Sequence, residues 1–196
     1  MRSDISPNLI HFTKPHGENS AMDCFLSIVR ESCLRGGTGS TRGGYQCVCF
    51  SEAPLGELGQ GLVNDRCYSK YSPFGIMVSK AWLYSRGGRP VIYQSDNEYS
   101  ALPESHRWRH VRYELGCEEC VDFTWEREWR IHTTKLVLSK EHCALVVPGA
   151  SEASFLLDTH TQEQDMLVRQ YSLCVGSELA EAYREDFGWR IVVLDQ

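Results

Sequence analysis

The stretch Phe123–His132 reads Phe-Thr-Trp-Glu-Arg-Glu-Trp-Arg-Ile-His, and its alternation of residue types limits what the chain can fold into. Trp125, Arg127, Trp129 and Ile131 interleave with Glu126, Glu128, Arg130 and His132. Side chains on a strand alternate between faces, so the pattern predicts a strand over 125–133 with Glu126 and Glu128 on one face. Adjacent carboxylates on a strand repel each other. They suit either a solvated edge on which Arg130 neutralises both acids, or an acid pair at the mouth of a cleft.

Further strands are predicted at Asn8–Thr13, Tyr45–Phe50, Gly75–Val78, Pro90–Tyr93, Ala144–Val147 and Trp189–Leu194. Met22, Phe25, Leu26, Ile28 and Val29 are spaced for a helix over Ala21–Glu31, with Ser20 or Asp23 as its cap. A helical turn is expected at Lys80–Leu83 and a polar, partly helical segment over Glu98–Arg112. Helices follow near Ser151–Leu157, Gln162–Tyr171 and Gly176–Asp186. Gly36–Gly44, with five Gly in nine residues, is a loop. Leu55–Ser69 is interrupted by Gly and reads as a frayed helix or a lid-like loop. Short strands that do not alternate regularly with helices predict an α+β fold rather than a doubly wound sheet. No linker is evident, so residues 1–196 are read as one domain, with 151–196 as accessory helices and a closing strand.

Hydrophobic residues at 42% and charged residues at 23% suit a globular chain with a real core. No apolar run approaches a membrane span, and Met1–Pro7 lacks a signal-peptide apolar region, so no membrane is expected. Nine scattered Cys fit reduced thiols in a cytoplasmic protein better than a disulfide framework. A formal net charge of -6 argues against a general nucleic-acid coat, although a local basic patch would suffice for a nucleic-acid substrate.

No glycine fingerprint for a dinucleotide follows a strand, and no P-loop is present. Cys117 and Cys120 have the gap of a zinc knuckle, but neither Cys47/Cys49 nor His142-Cys143 supplies a clean second pair, and no metal is assigned. His106–Tyr113 interleaves Arg107, Arg109 and Arg112 with Trp108 and Tyr113. That mixture serves phosphate neutralisation and base stacking, or equally an amphipathic connector with its aromatics in the core. His11 is either a satisfied core histidine or a site residue.

In order, the chain presents Leu9-Ile10-His11-Phe12-Thr13, Cys49-Phe50-Ser51-Glu52-Ala53-Pro54-Leu55, Gly75–Trp82, Arg89–Tyr93 and Glu126-Arg127-Glu128-Trp129-Arg130-Ile131. This order resembles the ADP-ribosyltransferase fold. The Leu-Ile-His-Phe-Thr opening resembles the DarT-like toxins that modify nucleic acid, and the layout is similar to the AbiGi-type abortive-infection proteins. The resemblance spans roughly Asn8 to Pro148 and implies a split pair of small mixed or antiparallel sheets with flanking helices.

It also implies NAD+ held in the split between the sheets, with His11, Thr13, Arg42, Ser51, Tyr71 and Phe74 as binding residues. His11 would face the adenosine ribose, and Tyr71 or Phe74 would stack on nicotinamide. Glu128 would stabilise the ribose cation and Glu126 would aim or deprotonate the acceptor. Arg107, Trp108, Arg109 and Arg112 would contact an RNA or DNA acceptor. A toxin of this kind in anti-phage defence implies a co-encoded antitoxin. A non-catalytic antitoxin or immunity partner on the same fold, and an NAD+ glycohydrolase, are the alternatives. Ser72-Pro73 stands where an aromatic-Gly pair is expected, which leaves the stacking residue open.

Overall fold

A computed structural model describes residues 5–39, 41–53, 72–116 and 120–194. The predicted lid-like segment 55–69, together with Tyr71 and Cys117, lies outside them. The strands are β1 (Asn8–Phe12), β2 (Cys33–Arg35), β3 (Cys47–Ser51), β4 (Gly75–Ser79), β5 (Arg89–Pro90), β6 (Ile92–Gln94), β7 (His110–Arg112), β8 (Glu128–His132), β9 (Lys135–Val137), β10 (Cys143–Val147) and β11 (Arg190–Val193). The α-helices are α1 (Ala21–Glu31), α2 (Lys80–Ser85), α3 (Ala150–Val175) and α4 (Ser177–Glu181). The architecture is α+β, as the irregular strand order predicts.

Seven strands form one sheet in the order β11-β10-β4-β1-β3-β8-β5, antiparallel except for β10 with β11. β2 pairs with β9, and β6 runs parallel to β7, in two small ribbons. The joins within the large sheet are unequal. β1 and β4 share five registered pairs and β3 and β8 share five, whereas β1 meets β3 only at Ile10 and Ser51. Where a split pair of sheets is expected, these strands form one sheet with a weak join, a seam, between β11-β10-β4-β1 on one side and β3-β8-β5 on the other.

One face of the sheet carries the main core. Leu9, Val48, Phe50, Ile76, Val78, Trp129, Ile131, Leu145 and Val147 meet Phe25 of α1, Trp82 and Leu83 of α2, and Leu156 of α3 there. Helix α1 is set by a capping box, in which Asp23 N–H donates to Ser20 Oγ and Ser20 N–H donates to the Asp23 carboxylate. The hydrogen bonds from Ser20 hold the Asp23 carboxyl below its ordinary pKa. A smaller cluster of Ile10, Phe12, Ala53, Met77, Ala144, Val146 and Leu194 lies on the opposite face of the β1 half. No described helix is long and apolar enough to cross a membrane.

The predicted strand over 125–133 is shorter than its alternation implies. Residues 124–126 form a 3-10 turn, and Arg127 takes a left-handed backbone (φ 45°), so pairing begins at Glu128. Strand alternation across Arg127 is lost, and Glu126 does not share a strand face with Glu128 as expected. The predicted helices 151–157 and 162–171 are one continuous α3.

Candidate functional site

Register decides which side chains meet at the seam. Ser51 lies opposite Glu128, Cys49 opposite Arg130 and Cys47 opposite His132, so these six share one face of β3 and β8. The Ser51 hydroxyl donates to the Glu126 carbonyl at 2.8 Å and accepts from Ala53 N–H, which ties the strand end to the turn before β8. Predicted residues Ser51, Glu126 and Glu128 are thus brought together.

Glu128 and Arg130 are both buried, and form a two-pronged ion pair with Nε–Oε1 at 2.7 Å and Nη2–Oε2 at 3.2 Å. The remaining guanidinium nitrogen donates to the carbonyls of His110 at 2.9 Å and Trp108 at 3.3 Å. Tyr93 Oη accepts the Glu128 N–H at 3.0 Å, and burial pushes its phenol up to about 12. Burial and neighbouring Glu128 push the Cys49 thiol far above the ordinary range, and burial lifts Cys47 to about 11. Neither thiol is a nucleophile at neutral pH in this setting. Arg130 does neutralise Glu128, but in the interior, and not on the solvated edge that the simpler reading of the sequence expects.

His11 approaches the seam from the other side. Its neighbours Ile10 and Phe12 share the Ser51 face, whereas His11 lies with Leu9, and its ring makes an edge contact with Phe50 at 5.8 Å. Nδ1 bonds the Cys49 carbonyl at 2.8 Å, occupying an acceptor that β1 leaves unpaired as the strands diverge. Burial lowers the pKa of His11 despite that bond, and Lys14 adds to the lowering, so the ring is neutral at pH 7. It borders a cleft of about 600 Å³ lined by the loop before α1, α1 itself and β2, including His16, Asn19, Asp23, Arg30 and Arg35. His11 and Glu128 therefore border the same seam from opposite faces of the sheet.

The other predicted cofactor residues divide. Thr13 Oγ1 donates to the Phe74 carbonyl at 3.0 Å, and the Phe74 ring packs on Phe25 at 5.6 Å, so both are built into the α1 side. Arg42 is elsewhere. It pairs with Asp96 at 2.7 Å and lies over the Tyr99 ring at 4.5 Å, where Arg107 also approaches at 5.7 Å. Gly43 (φ 85°) permits this approach, since an added Cβ would stand 2.5 Å from Tyr99 Oη. Arg42 thus belongs with the predicted acceptor residues. Arg107 also donates to the Leu102 carbonyl, Arg109 donates to the Pro90 carbonyl, and Arg112 is exposed on β7. Trp108 stacks on His132 with ring centres 6.1 Å apart, and Tyr45 meets the same imidazole edge-on.

Sequence reasoning missed Tyr93 and Glu52 as site neighbours. Glu52 bonds Lys80 Nζ at 2.6 Å and Trp129 Nε1 at 2.7 Å on the core face. The position of Arg130, two residues after Glu128 on one strand, was a usable signal for the ion pair. Nothing local signalled Tyr93, which arrives from a separate ribbon. Among the described residues, no group of three or more His, Cys, Asp and Glu is arranged to hold a metal ion. Comparison with protein-family models, with curated proteins and with solved structures finds no match to the chain.

Proposed function

We propose that the chain is an NAD+-dependent ADP-ribosyltransferase that modifies RNA or DNA, acting as a toxin in anti-phage defence with a neutralising partner. The observation that carries this reading is the seam: His11, Ser51 and Glu128 all lie at or beside the single Ile10–Ser51 pair joining β1 to β3. A cleft of about 600 Å³ at His11 falls within the ordinary range for ligand pockets, and a diphosphate there would meet Asn19 and would compete with Glu163 and Glu31 for Arg30 and Arg35.

NAD+ supplies an activated ribose, whose bond to nicotinamide breaks with positive charge developing on the sugar. A fixed ionised carboxylate stabilises that charge, in the manner of glycoside hydrolysis. In this reading the two-pronged contact with Arg130 fixes the direction of the Glu128 carboxylate, and Glu126 takes the proton of the acceptor group. The stacked Trp108–His132 pair and the arginines about Tyr99 suit bases and phosphates.

A second reading, a non-catalytic binding partner on the same fold, is favoured by two observations. Both Glu128 oxygens are already engaged by Arg130, and His11 lies across the sheet from them. Incubation with labelled NAD+ and separate RNA, DNA and protein pools separates the readings. Label on nucleic acid, abolished by Glu128→Gln, is the expected result. Nicotinamide release without labelled acceptor would identify a glycohydrolase. Neither release nor label, with growth on induction unaffected, would leave the binding reading.

A further inference from the structure

The C-terminal helical layer is unusual in both surface and charge. Helix α3 has 26 residues, a length of about 39 Å. Yet only Leu156 and Gln164 along it are buried. Leu173 is 87% exposed, Met166 61% and Leu179 of α4 63%, with Phe155, Leu167 and Tyr183 also open. Phe155, Met166 and Leu173 fall on one stripe, because steps of eleven and seven residues are close to whole numbers of turns. Such a concentration of open apolar side chains on one layer marks an interaction surface.

Charge selects the partner. From Ala150 to Asp186 the sequence holds eight Asp and Glu against Arg169 and Arg184, an excess equal to the whole chain's formal net charge of -6. Arg184 is engaged within the layer by Asp165 and Glu181. Two such layers facing each other would repel, which disfavours a second copy of this chain as occupant. We propose that the α3–α4 layer docks a basic amphipathic helix of a partner protein. The partner's apolar face would lie on the Met166–Leu173 stripe, and its Lys and Arg would reach exposed acids of the same layer, Asp158 and Glu178 among them. This inference is independent of the NAD+ reading, since it uses no residue of the seam.

The test uses the full chain and two synthetic helical peptides with one Leu pattern, the polar face being all Lys in one and all Glu in the other. Fluorescence anisotropy should show saturable, salt-sensitive binding of the Lys peptide and none of the Glu peptide. Met166→Ser with Leu173→Ser should weaken binding about tenfold while leaving the melting curve unchanged, because both side chains are solvent-facing. Three results would each overturn the proposal: equal binding of the two peptides, binding indifferent to the double variant, or no binding at all. A concentration-dependent dimer in sedimentation, lost in the double variant, would assign the surface to a second copy instead.

Discussion

Glu128 and Arg130 keep their charges in a place nearly closed to water, at 8% and 2% exposure. Desolvating both ions is costly, and the pair offsets that cost only because the remaining guanidinium nitrogen also has acceptors, the carbonyls of His110 and Trp108. Arg130→Met should therefore destabilise the fold by about 3–5 kcal/mol, since it strands a buried carboxylate. Glu128→Leu combined with Arg130→Met should recover most of the loss, and urea denaturation of the single and double variants measures both. A single variant within about 1 kcal/mol of the parent would mean that the pair is solvated in solution. His11 gives a second residue-scale expectation. Its folded pKa is lowered, so the unfolded chain binds the proton first. Its contribution to stability is then fully present above about pH 6.5 and declines as pH falls towards the folded value. The stability difference between the parent and His11→Asn should shrink through that window and be flat above pH 7; an unchanging difference would contradict a neutral, enclosed ring.

At the scale of elements, Arg127 is where local pattern and structure part. Alternation across Trp125–Ile131 predicts one strand, but a left-handed residue at 127 ends the 3-10 turn and starts β8. Arg127→Val should cost about 1–2 kcal/mol relative to Arg127→Gly, because a β-branched side chain resists positive φ and Gly does not. Comparing two variants that both lack the guanidinium removes its contacts from the difference, and equal stabilities would deny the left-handed turn. The elements legible in sequence were those whose signal is local: β1, β4, β10, and α1 with its Ser20–Asp23 cap. The ribbon of β2 with β9, three residues each, was not legible, because only pairing across a hundred residues makes Cys33–Arg35 a strand. The sequence predicts helix α3 as two pieces separated at Asp158–Thr161, a run of poor helix formers. Tertiary contacts override that weakness: His160 bonds the Glu185 carbonyl, and Gln164 accepts the Glu185 N–H. The candidate site divides in the same way. Ser51 and Glu128 lie opposite each other, whereas His11 takes the other face of the sheet, and that division depends on the Ile10–Ser51 register, a fact about pairing that no local pattern carries.

For the whole molecule, the seam sets two contributions against each other. Hydrogen bonding across it is slight, one registered backbone pair and the side-chain bond from His11 to the Cys49 carbonyl, against five pairs on either side. Side-chain packing across it is substantial, since Leu9, Ile76 and Val78 of one half share a core with Val48, Phe50 and Trp129 of the other. Separating the halves would expose part of that core, so the opening cannot be nearly free, yet it leaves both five-pair ladders intact and should lie below global unfolding. Native-state hydrogen exchange at rising denaturant distinguishes the outcomes. Amides of β3 and β8 should merge into one group with a common free energy and denaturant slope, and those of β1, β4 and β10 into a more stable group that exchanges only on global unfolding. The β3–β8 half should open first, because β3 joins the rest of the sheet by that single pair, whereas the β1 half is held together through β4, β10 and β11. A single group spanning all the strands would show that the shared core governs cooperativity, and that the seam is a break in hydrogen bonding but not in the folding unit.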